Sequence, residues 1–278
     1  MEFDWAPVYE TARPSIFSVT LIPSNESRAE LTSLAMRIAG TVGGLTQDQR
    51  DNKIDYALRT MKCVTGFSVG AVVQGQGIAI LTCAHGLSEF FKGTDPITPE
   101  QINRLFTVRV TCRHNENGFY AAGGDLMNGR RNFTLGRVAR IDYSRDLMLV
   151  VINRAHLRMH GGAVCNEDHP SMLICPGDPD PATSECLMVS CPRLKADLMS
   201  LGRISTRRTT AQLNTVNAVG FNFEILEVQM VGGHGSSGAP LINREGQVIG
   251  LLHGGDSSHS YFVGVQHLRA FLLQQGPH

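Results

Sequence analysis

Short apolar runs separated by turn residues form the main pattern of the chain. From Cys63 to Ile152 these runs are broken by Gly and Asn, and apolar runs resume at Cys186. The strands of an antiparallel barrel are short and are joined by turns of this composition. The pattern therefore predicts an all-β fold with two strand-rich regions.

The two ends of the chain follow a different pattern. Residues 15–22 predict a strand, because most of them are apolar or β-branched and they lie between two prolines. Residues 26–38 and 47–61 carry apolar side chains at helical spacing, with Ser27 and Thr46 as possible helix caps. Both segments are predicted to be helical, and so is the C-terminal segment 266–274.

The region between the two groups of strands is rich in Pro, Gly, Asp and His, which is typical of a link between folded units. With 278 residues, the chain is long enough for two barrels of about 100 residues each plus extensions. The predicted division is an N-terminal strand and helical extension over 1–60, a first β-barrel over 61–152, a link over 153–184, and a second β-barrel with a C-terminal helix over 185–278.

The charges of the chain balance, with 25 basic and 25 acidic residues. Nothing in this balance favours a nucleic acid or an anionic membrane, so we expect neither as a partner. The N-terminal residues lack a basic segment followed by an apolar one, and no run approaches the ~18 apolar residues of a membrane span. We therefore expect a protein that is not secreted.

The chain has seven cysteines, an odd number at irregular spacings. This usage favours free thiols in a reducing intracellular compartment, such as the cytosol, the nucleus or an organelle stroma. Three pairings lie close in sequence: Cys112 with His114, Cys165 with His169, and Cys186 with Cys191. None has the Cys-x-x-Cys spacing of a structural zinc site, so we expect ordinary thiols, no metal and no cofactor.

The segment Gly235–Leu241 carries the most specific chemical signal and reads Gly-Ser-Ser-Gly-Ala-Pro-Leu. A nucleophilic serine needs flanking glycines, since the backbone must turn sharply and a neighbouring Cβ would block the substrate. The backbone N–H groups of Gly235 and Ser237 can then hold an oxyanion, with Ser237 as the nucleophile. Ser236 is its only competitor, and a plain Gly/Ser/Pro turn is the alternative to a catalytic loop.

Two other strand ends supply the partners that a nucleophilic serine needs. An apolar run ends in Thr-Cys-Ala-His at His85, which makes this histidine the candidate base. Asp146 directly precedes the apolar run Leu-Met-Leu-Val and is the candidate for the carboxylate that orients it. Its rival, Asp142, can instead form a turn with Ser144.

The three motifs occur in the order His, Asp, Ser, which is the order of the chymotrypsin-like serine peptidases. In this order and in the segments around the motifs, the chain resembles that family, and within the family the HtrA/Deg branch. The resemblance covers roughly residues 60–273. Beyond the three motifs, four other segments are similar to the family pattern: Gly66–Gly70, Leu187–Pro192, Gly202–Ser205 and Pro240–Leu251.

This resemblance implies a chymotrypsin-like double β-barrel with an N-terminal helical insertion and a C-terminal helix. No PDZ domain is expected, because only a few residues follow the last predicted strand. The resemblance implies a serine endopeptidase in which His85 is the base, Asp146 orients it, and Ser237 forms an acyl-enzyme with protein or peptide substrates. Deg-like domains often form trimers through their N-terminal segments, so residues 1–60 could mediate a homo-oligomer by analogy.

The resemblance also implies a set of substrate-binding residues: Val231, Gly232, His234, Leu252, His253 and Gly254. No acidic residue stands at Val231, the expected base of the primary pocket, so cleavage after Lys or Arg is not expected. Proteases that recognise Gln or Glu use a pocket histidine at the position of Leu252, and His253 lies one residue later, on the other face of a strand. A small or apolar residue before the cut is therefore the prediction.

Some departures from the family pattern keep other functions open. Gly86 stands where many secreted relatives have a disulfide cysteine, and Ser236 stands where zymogens have an activating aspartate. Activation by cleavage of the N-terminus is therefore not expected. The alternatives are a catalytically latent or inactive binding module with a protease fold, and a viral-type protease that processes its own polyprotein.

Overall fold

The computed structural model of the chain describes residues 3–70, 77–112, 114, 133–157, 163–179, 184–191, 198–209 and 220–274. Within these ranges the strands form two closed, antiparallel six-stranded barrels. The all-β double barrel is therefore confirmed.

The first barrel has the strand order β1-β2-β3-β6-β5-β4. Its strands are β1 (Ile16–Pro23), β2 (Lys62–Val69), β3 (Gly77–Thr82), β4 (Phe106–Cys112), β5 (Thr134–Asp142) and β6 (Leu147–Asn153). The strand predicted over 15–22 is β1, which pairs with both β2 and β4 and so closes the barrel. The first barrel thus extends into the N-terminal segment 1–60.

The second barrel has the strand order β10-β11-β12-β9-β8-β7. Its strands are β7 (Glu185–Ser190), β8 (Leu198–Thr209), β9 (Glu224–Gln229), β10 (Pro240–Ile242), β11 (Val248–Gly255) and β12 (Ser260–Gly264). Strand β11 has an irregular register against β12 between Leu252 and Gly254. This bulge lies beside the candidate site and changes which way the side chains around it point.

The described residues form five α-helices outside the barrels. They are α1 (Ala6–Ala12), α2 (Arg28–Thr41), α3 (Gln47–Arg59), α4 (Pro99–Leu105) and α5 (Val265–Leu273). The predicted helices over 26–38, 47–61 and 266–274 correspond to α2, α3 and α5, and Thr46 caps α3 in a capping box with Gln49. The sequence did not predict α1 and α4, each of which has a proline in its first turn, where proline is tolerated.

One cluster of buried apolar residues spans both barrels, from Phe17 and Phe67 in the first to Leu251 and Val263 in the second. A second, smaller cluster that includes Met188 and Phe262 lies within the second barrel. Helix α5 adds to the contact between the barrels, because the carbonyl of Phe271 accepts a 2.5 Å hydrogen bond from Arg140 on β5. Each helix within the described ranges is too short or too polar to traverse a lipid bilayer.

Candidate active site

His85 and Asp146 meet where two neighbouring strands of the first barrel come together. His85 begins a short 3-10 turn just after β3, and Asp146 directly precedes β6. Strands β3 and β6 pair antiparallel, so the end of one lies beside the start of the other. The Nδ1 atom of His85 lies 2.8 Å from Oδ2 of Asp146.

The Asp146 side chain is held in one orientation by backbone N–H groups of the segment that carries His85. Its Oδ1 atom accepts hydrogen bonds from the N–H groups of Ala84, at 2.8 Å, and His85, at 2.6 Å. The residue has φ 61° and ψ 36°, a left-handed conformation that Asp tolerates better than most side chains. Its side chain is fully buried, so both oxygens are committed to protein donors.

The rival carboxylate, Asp142, is used for a local turn. Its Oδ1 atom accepts hydrogen bonds from the backbone N–H of Arg145, at 3.2 Å, and from Oγ of Ser144, at 2.7 Å. Its Oδ2 atom pairs with the Arg145 guanidinium at 3.2 Å. These contacts give Asp142 a structural role in the turn that leads to Asp146.

A second histidine shares the Asp146 carboxylate. Nδ1 of His253 hydrogen-bonds to Oδ2 of Asp146, the same oxygen that contacts His85. The His253 ring is 7 % exposed and meets the rings of Phe221 and Phe223 edge-on, with centroids 5.0 Å and 5.1 Å away. His253 therefore lies behind the carboxylate, in place of the substrate-binding position expected for it.

The contacts within this cluster shift the pKa values of His85 and of Asp146. Burial lowers the pKa of His85, but the Asp146 charge and hydrogen bond outweigh it and raise that pKa well above its ordinary value of 6.5. Burial raises the pKa of Asp146, yet the charges and hydrogen bonds of His85 and His253 hold it far below its usual range. His85 is thus a strengthened proton acceptor beside a carboxylate that stays ionised.

The loop around Ser237 depends on glycine at two positions. Gly235 has φ +92° in a turn closed by the hydrogen bond from Ser236 N to Gly233 O, at 3.0 Å, and this geometry strongly favours glycine. Gly238 has φ +86°, and a Cβ there would lie 2.1 Å from the carbonyl oxygen of Thr65. The loop therefore packs directly against the first barrel.

The two serines of this loop have different surroundings. Ser236 is buried, and its Oγ lies 2.9 Å from Oγ of Ser190. Ser237 is partly exposed, and the structure records no hydrogen bond of its Oγ within the described ranges. Of the two, only Ser237 presents an accessible and uncommitted hydroxyl.

Thr65 on β2 fastens the Ser237 loop to the barrel that carries His85. Its N–H donates to Ser237 O at 2.8 Å, and its hydroxyl donates to Gly235 O at 2.9 Å. The Thr65 carbonyl in turn accepts from the hydroxyl of Thr82, three residues before His85, at 2.6 Å. This chain of contacts places Ser237 beside the end of β3, where His85 lies.

The described residues show no direct hydrogen bond between Ser237 Oγ and His85 Nε2. The polar atom recorded next to His85 Nε2 is Sγ of Cys83, at 3.9 Å. The hydrogen bond between a nucleophile and its base is often long in ligand-free enzymes and tightens when substrate binds. The ligand atoms of Cys83, His85 and Asp146 also lie within 4.8 Å of one another, and two of these residues are joined directly by the His85–Asp146 hydrogen bond.

A cavity of about 320 Å³ opens next to Ser237. Its lining consists of Gly232, Gly233, His234, Gly235, Ser237, Leu252, Gly254, Gly255, Asp256 and Ser260. Four of the six predicted substrate-binding residues, Gly232, His234, Leu252 and Gly254, are in this set, while Val231 and His253 are not.

Asp256 also lines the cavity, and sequence reasoning missed it. Its carboxylate accepts hydrogen bonds from Tyr261 Oη at 2.5 Å and from the N–H groups of Ser258, at 2.8 Å, and His259, at 2.9 Å. These bonds, the one from Tyr261 foremost, lower the pKa of Asp256. The carboxylate is committed to its own turn, and an Asp followed two residues later by Ser was the available sequence signal for that turn.

Residues 64–251 match the family model for the trypsin-like peptidase domain, which is more than half of the chain. No curated protein sequence matches the chain.

Solved structures resemble the fold over nearly the whole chain. The active form of the Rv3671c protease from M. tuberculosis aligns with a TM-score of 0.57 and 13 % identity, covering 100 % of this chain and 89 % of that one. Its inactive form aligns with a TM-score of 0.55 and 13 % identity, covering 100 % and 98 %. Deg5 aligns with a TM-score of 0.54 and 14 % identity, covering 95 % and 90 %. At these identities the likeness is one of fold.

Proposed function

The chain belongs to the trypsin-like peptidase domain family, and we propose that it is a serine endopeptidase with His85, Asp146 and Ser237 as its catalytic triad. The observation that carries the proposal is the geometry at the end of β3. There, His85 is held by a fully buried carboxylate through a 2.8 Å bond. The loop of Ser237 is fastened to the same barrel through Thr65.

In the proposed reaction, Ser237 Oγ attacks the scissile carbonyl carbon while its proton passes to Nε2 of His85. The Asp146 carboxylate stabilises the imidazolium that forms and keeps Nε2 available as the acceptor. The N–H groups of Gly235 and Ser237 hold the oxyanion of the tetrahedral intermediate. His85 then gives the proton to the leaving amine, and water, deprotonated by His85, releases the acyl group from Ser237.

His253 serves this proposal as a positioning residue. Because its Nδ1 shares Oδ2 of Asp146 with His85, it fixes the carboxylate from behind. The edges of Phe221 and Phe223 hold the His253 ring and exclude water from this side. A carboxylate fixed by four donors in a dry setting is preorganised to stabilise the imidazolium.

The substrates we propose are proteins or peptides with a small or apolar residue before the cut. The wall formed by Leu252 is apolar, and Gly232 and Gly254 add no side chain to the cavity. The carboxylate of Asp256 already accepts hydrogen bonds from Ser258 and His259 in its own turn and from Tyr261 on β12, so we do not assign it as the partner of a Lys or Arg side chain. An HtrA/Deg-like subtype and assembly through residues 1–60 are further parts of the proposal, and they rest on the sequence motifs.

A fluorophosphonate probe tests the activated nucleophile directly. We expect the wild-type chain to take up one label, which peptide mapping by mass spectrometry places on Ser237. Labelling of His85→Ala should be slower by several orders of magnitude, because the general base is missing. Ser236→Ala is the matched control and should label at the wild-type rate, since Ser236 Oγ is buried against Ser190.

A folded wild-type chain that takes up no label would contradict the proposal. It would favour the latent binding module instead, and capture of partners with a Ser237→Ala variant would be the next step. Labelling on Ser236 would mean that the nucleophile has been misassigned.

Cleavage of a denatured protein library tests the specificity separately. Mass spectrometry of the products should show cuts mainly after small or apolar residues, because Leu252 lines the cavity. The informative control is Asp256→Asn, which should leave this preference unchanged. Predominant cuts after Lys or Arg that disappear in Asp256→Asn would refute the proposed preference and assign the pocket to that carboxylate.

A further inference from the structure

Two cysteines and two histidines converge on one side of the first barrel. They are Cys112, at the end of β4, His114, two residues beyond it, and Cys165 and His169, in the link between the barrels. One ligand atom from each lies within 4.8 Å of those of the other three. We propose that these four side chains form a structural Zn²⁺ site.

The distances between the ligand atoms fit a tetrahedral zinc ion. With Zn–S bonds of about 2.3 Å and Zn–N bonds of about 2.0–2.1 Å, two thiolates lie about 3.8 Å apart, and a thiolate and an imidazole nitrogen lie about 3.6 Å apart. The two Sγ atoms are separated by 3.8 Å. Cys165 Sγ lies 3.7 Å from Nδ1 of His114 and 3.5 Å from Nε2 of His169.

The protein also sets the tautomer that His169 needs as a ligand. Its Nδ1 atom lies 2.8 Å from the carbonyl oxygen of Pro14, which can only accept a hydrogen bond. Nδ1 must therefore carry the proton, and Nε2, which faces Cys165, carries the lone pair. A backbone carbonyl that orients a histidine in this way is the usual outer partner of a zinc ligand.

The surroundings favour a bound cation over two charged thiolates alone. Cys112 and Cys165 are each 1 % exposed, and the ring of Phe17 lies 5.1 Å from that of His169. Buried charges are costly unless they are paired. Two thiolates and one Zn²⁺ sum to zero charge, so the occupied site suits this enclosure.

Four protein ligands leave no open position for water or substrate, which makes the site structural. Its place in the fold shows what the ion would hold together. On the link, Met172 N donates to Ser68 O of the first barrel, and Cys175 N donates to Val248 O of the second, each at 2.9 Å. A zinc ion at Cys165 and His169 would anchor the link to β4, just before it crosses between the barrels.

The sequence shows both Cys–His pairs but does not predict this site, because the two pairs are far apart in the chain. Cys112 and Cys165 are separated by 53 positions. Neither the Cys-x-His nor the Cys-x-x-x-His pair resembles the Cys-x-x-Cys unit of common zinc sites. Only the folding of the link against the end of β4 brings the pairs together.

Metal content and cobalt spectroscopy test the proposal. We expect the full chain, purified with reductant and without chelator, to contain about one zinc ion per molecule. After zinc removal, added Co²⁺ should give the visible absorption of a tetrahedral, thiolate-bound ion. Cys112→Ser and His169→Gln should each weaken Co²⁺ binding by at least the roughly 10- to 100-fold that loss of an outer partner costs.

Cys186→Ser is the matched control, because Cys186 is a buried thiol of the second barrel whose Sγ contacts Gly202 O instead. This variant should bind zinc and cobalt like the wild type. A folded, reduced wild-type chain that retains no zinc and gives no tetrahedral cobalt spectrum overturns the proposal, and this result needs no variant to fold. A Cys112–Cys165 disulfide in that preparation, or full zinc content in a folded Cys112→Ser, overturns it as well.

Discussion

Replacing Ser237 with Ala should lower kcat for peptide hydrolysis by about 10⁶-fold, because the nucleophile and its covalent intermediate are lost. The N–H groups of Gly235 and of residue 237 remain, so a residual rate above that in water should persist through oxyanion binding. Initial rates on a chromogenic peptide with an apolar residue before the cut measure this loss.

The same substitution should leave the fold intact. Within the described ranges the structure records no hydrogen bond of Ser237 Oγ, and the contact of Thr65 N is to the backbone carbonyl of residue 237. The thermal unfolding midpoint should therefore stay near that of the wild type. Ser236→Ala provides the kinetic control, and its activity should survive because Ser236 Oγ faces Ser190. A Ser237→Ala chain that still turns over at the wild-type rate would move the nucleophile elsewhere.

The positions of the three candidate catalytic residues could be predicted because each depends on local sequence. His85 and Asp146 adjoin apolar runs that the sequence pattern predicts as strands, and antiparallel pairing then brings such ends together. Gly235 and Gly238 have positive φ, a conformation that favours glycine. Glycines at these two positions beside a serine are visible in the sequence and therefore predicted the sharp turn. Local propensity and tertiary structure agree at these points.

Residues whose roles depend on long-range contacts could not be predicted in the same way. In a regular strand His253 would lie on the face opposite Leu252, and nothing local in the sequence indicates that its ring contacts Asp146 at a point where the register of β11 is irregular. Asp256 belongs to a turn whose approach to the cavity is set by the packing of β11 against β12. No local pattern encodes a bulge or the convergence of two distant loops.

Replacing Asp146 with Asn should lower kcat by about 10⁴-fold while preserving the shape of the site. The two backbone N–H groups of Ala84 and His85 both point at Oδ1, so the amide must place its oxygen there. Its NH₂ group then faces Nδ1 of His85, which must become an acceptor. The proton of neutral His85 moves to Nε2, and the base can no longer take the proton of Ser237.

Asp142→Asn is the matched control for this change, since it alters the other carboxylate of the turn between β5 and β6. Asn retains an oxygen that can accept from Arg145 N and Ser144 Oγ, so the turn should persist and kcat should remain close to the wild-type value. Steady-state kinetics on both variants, together with their unfolding midpoints, separate a tautomer effect from a loss of structure. If Asp142→Asn were the damaging substitution and a folded Asp146→Asn retained activity, the orienting carboxylate would be Asp142. The buried pair of His85 and Asp146 would then be structural only.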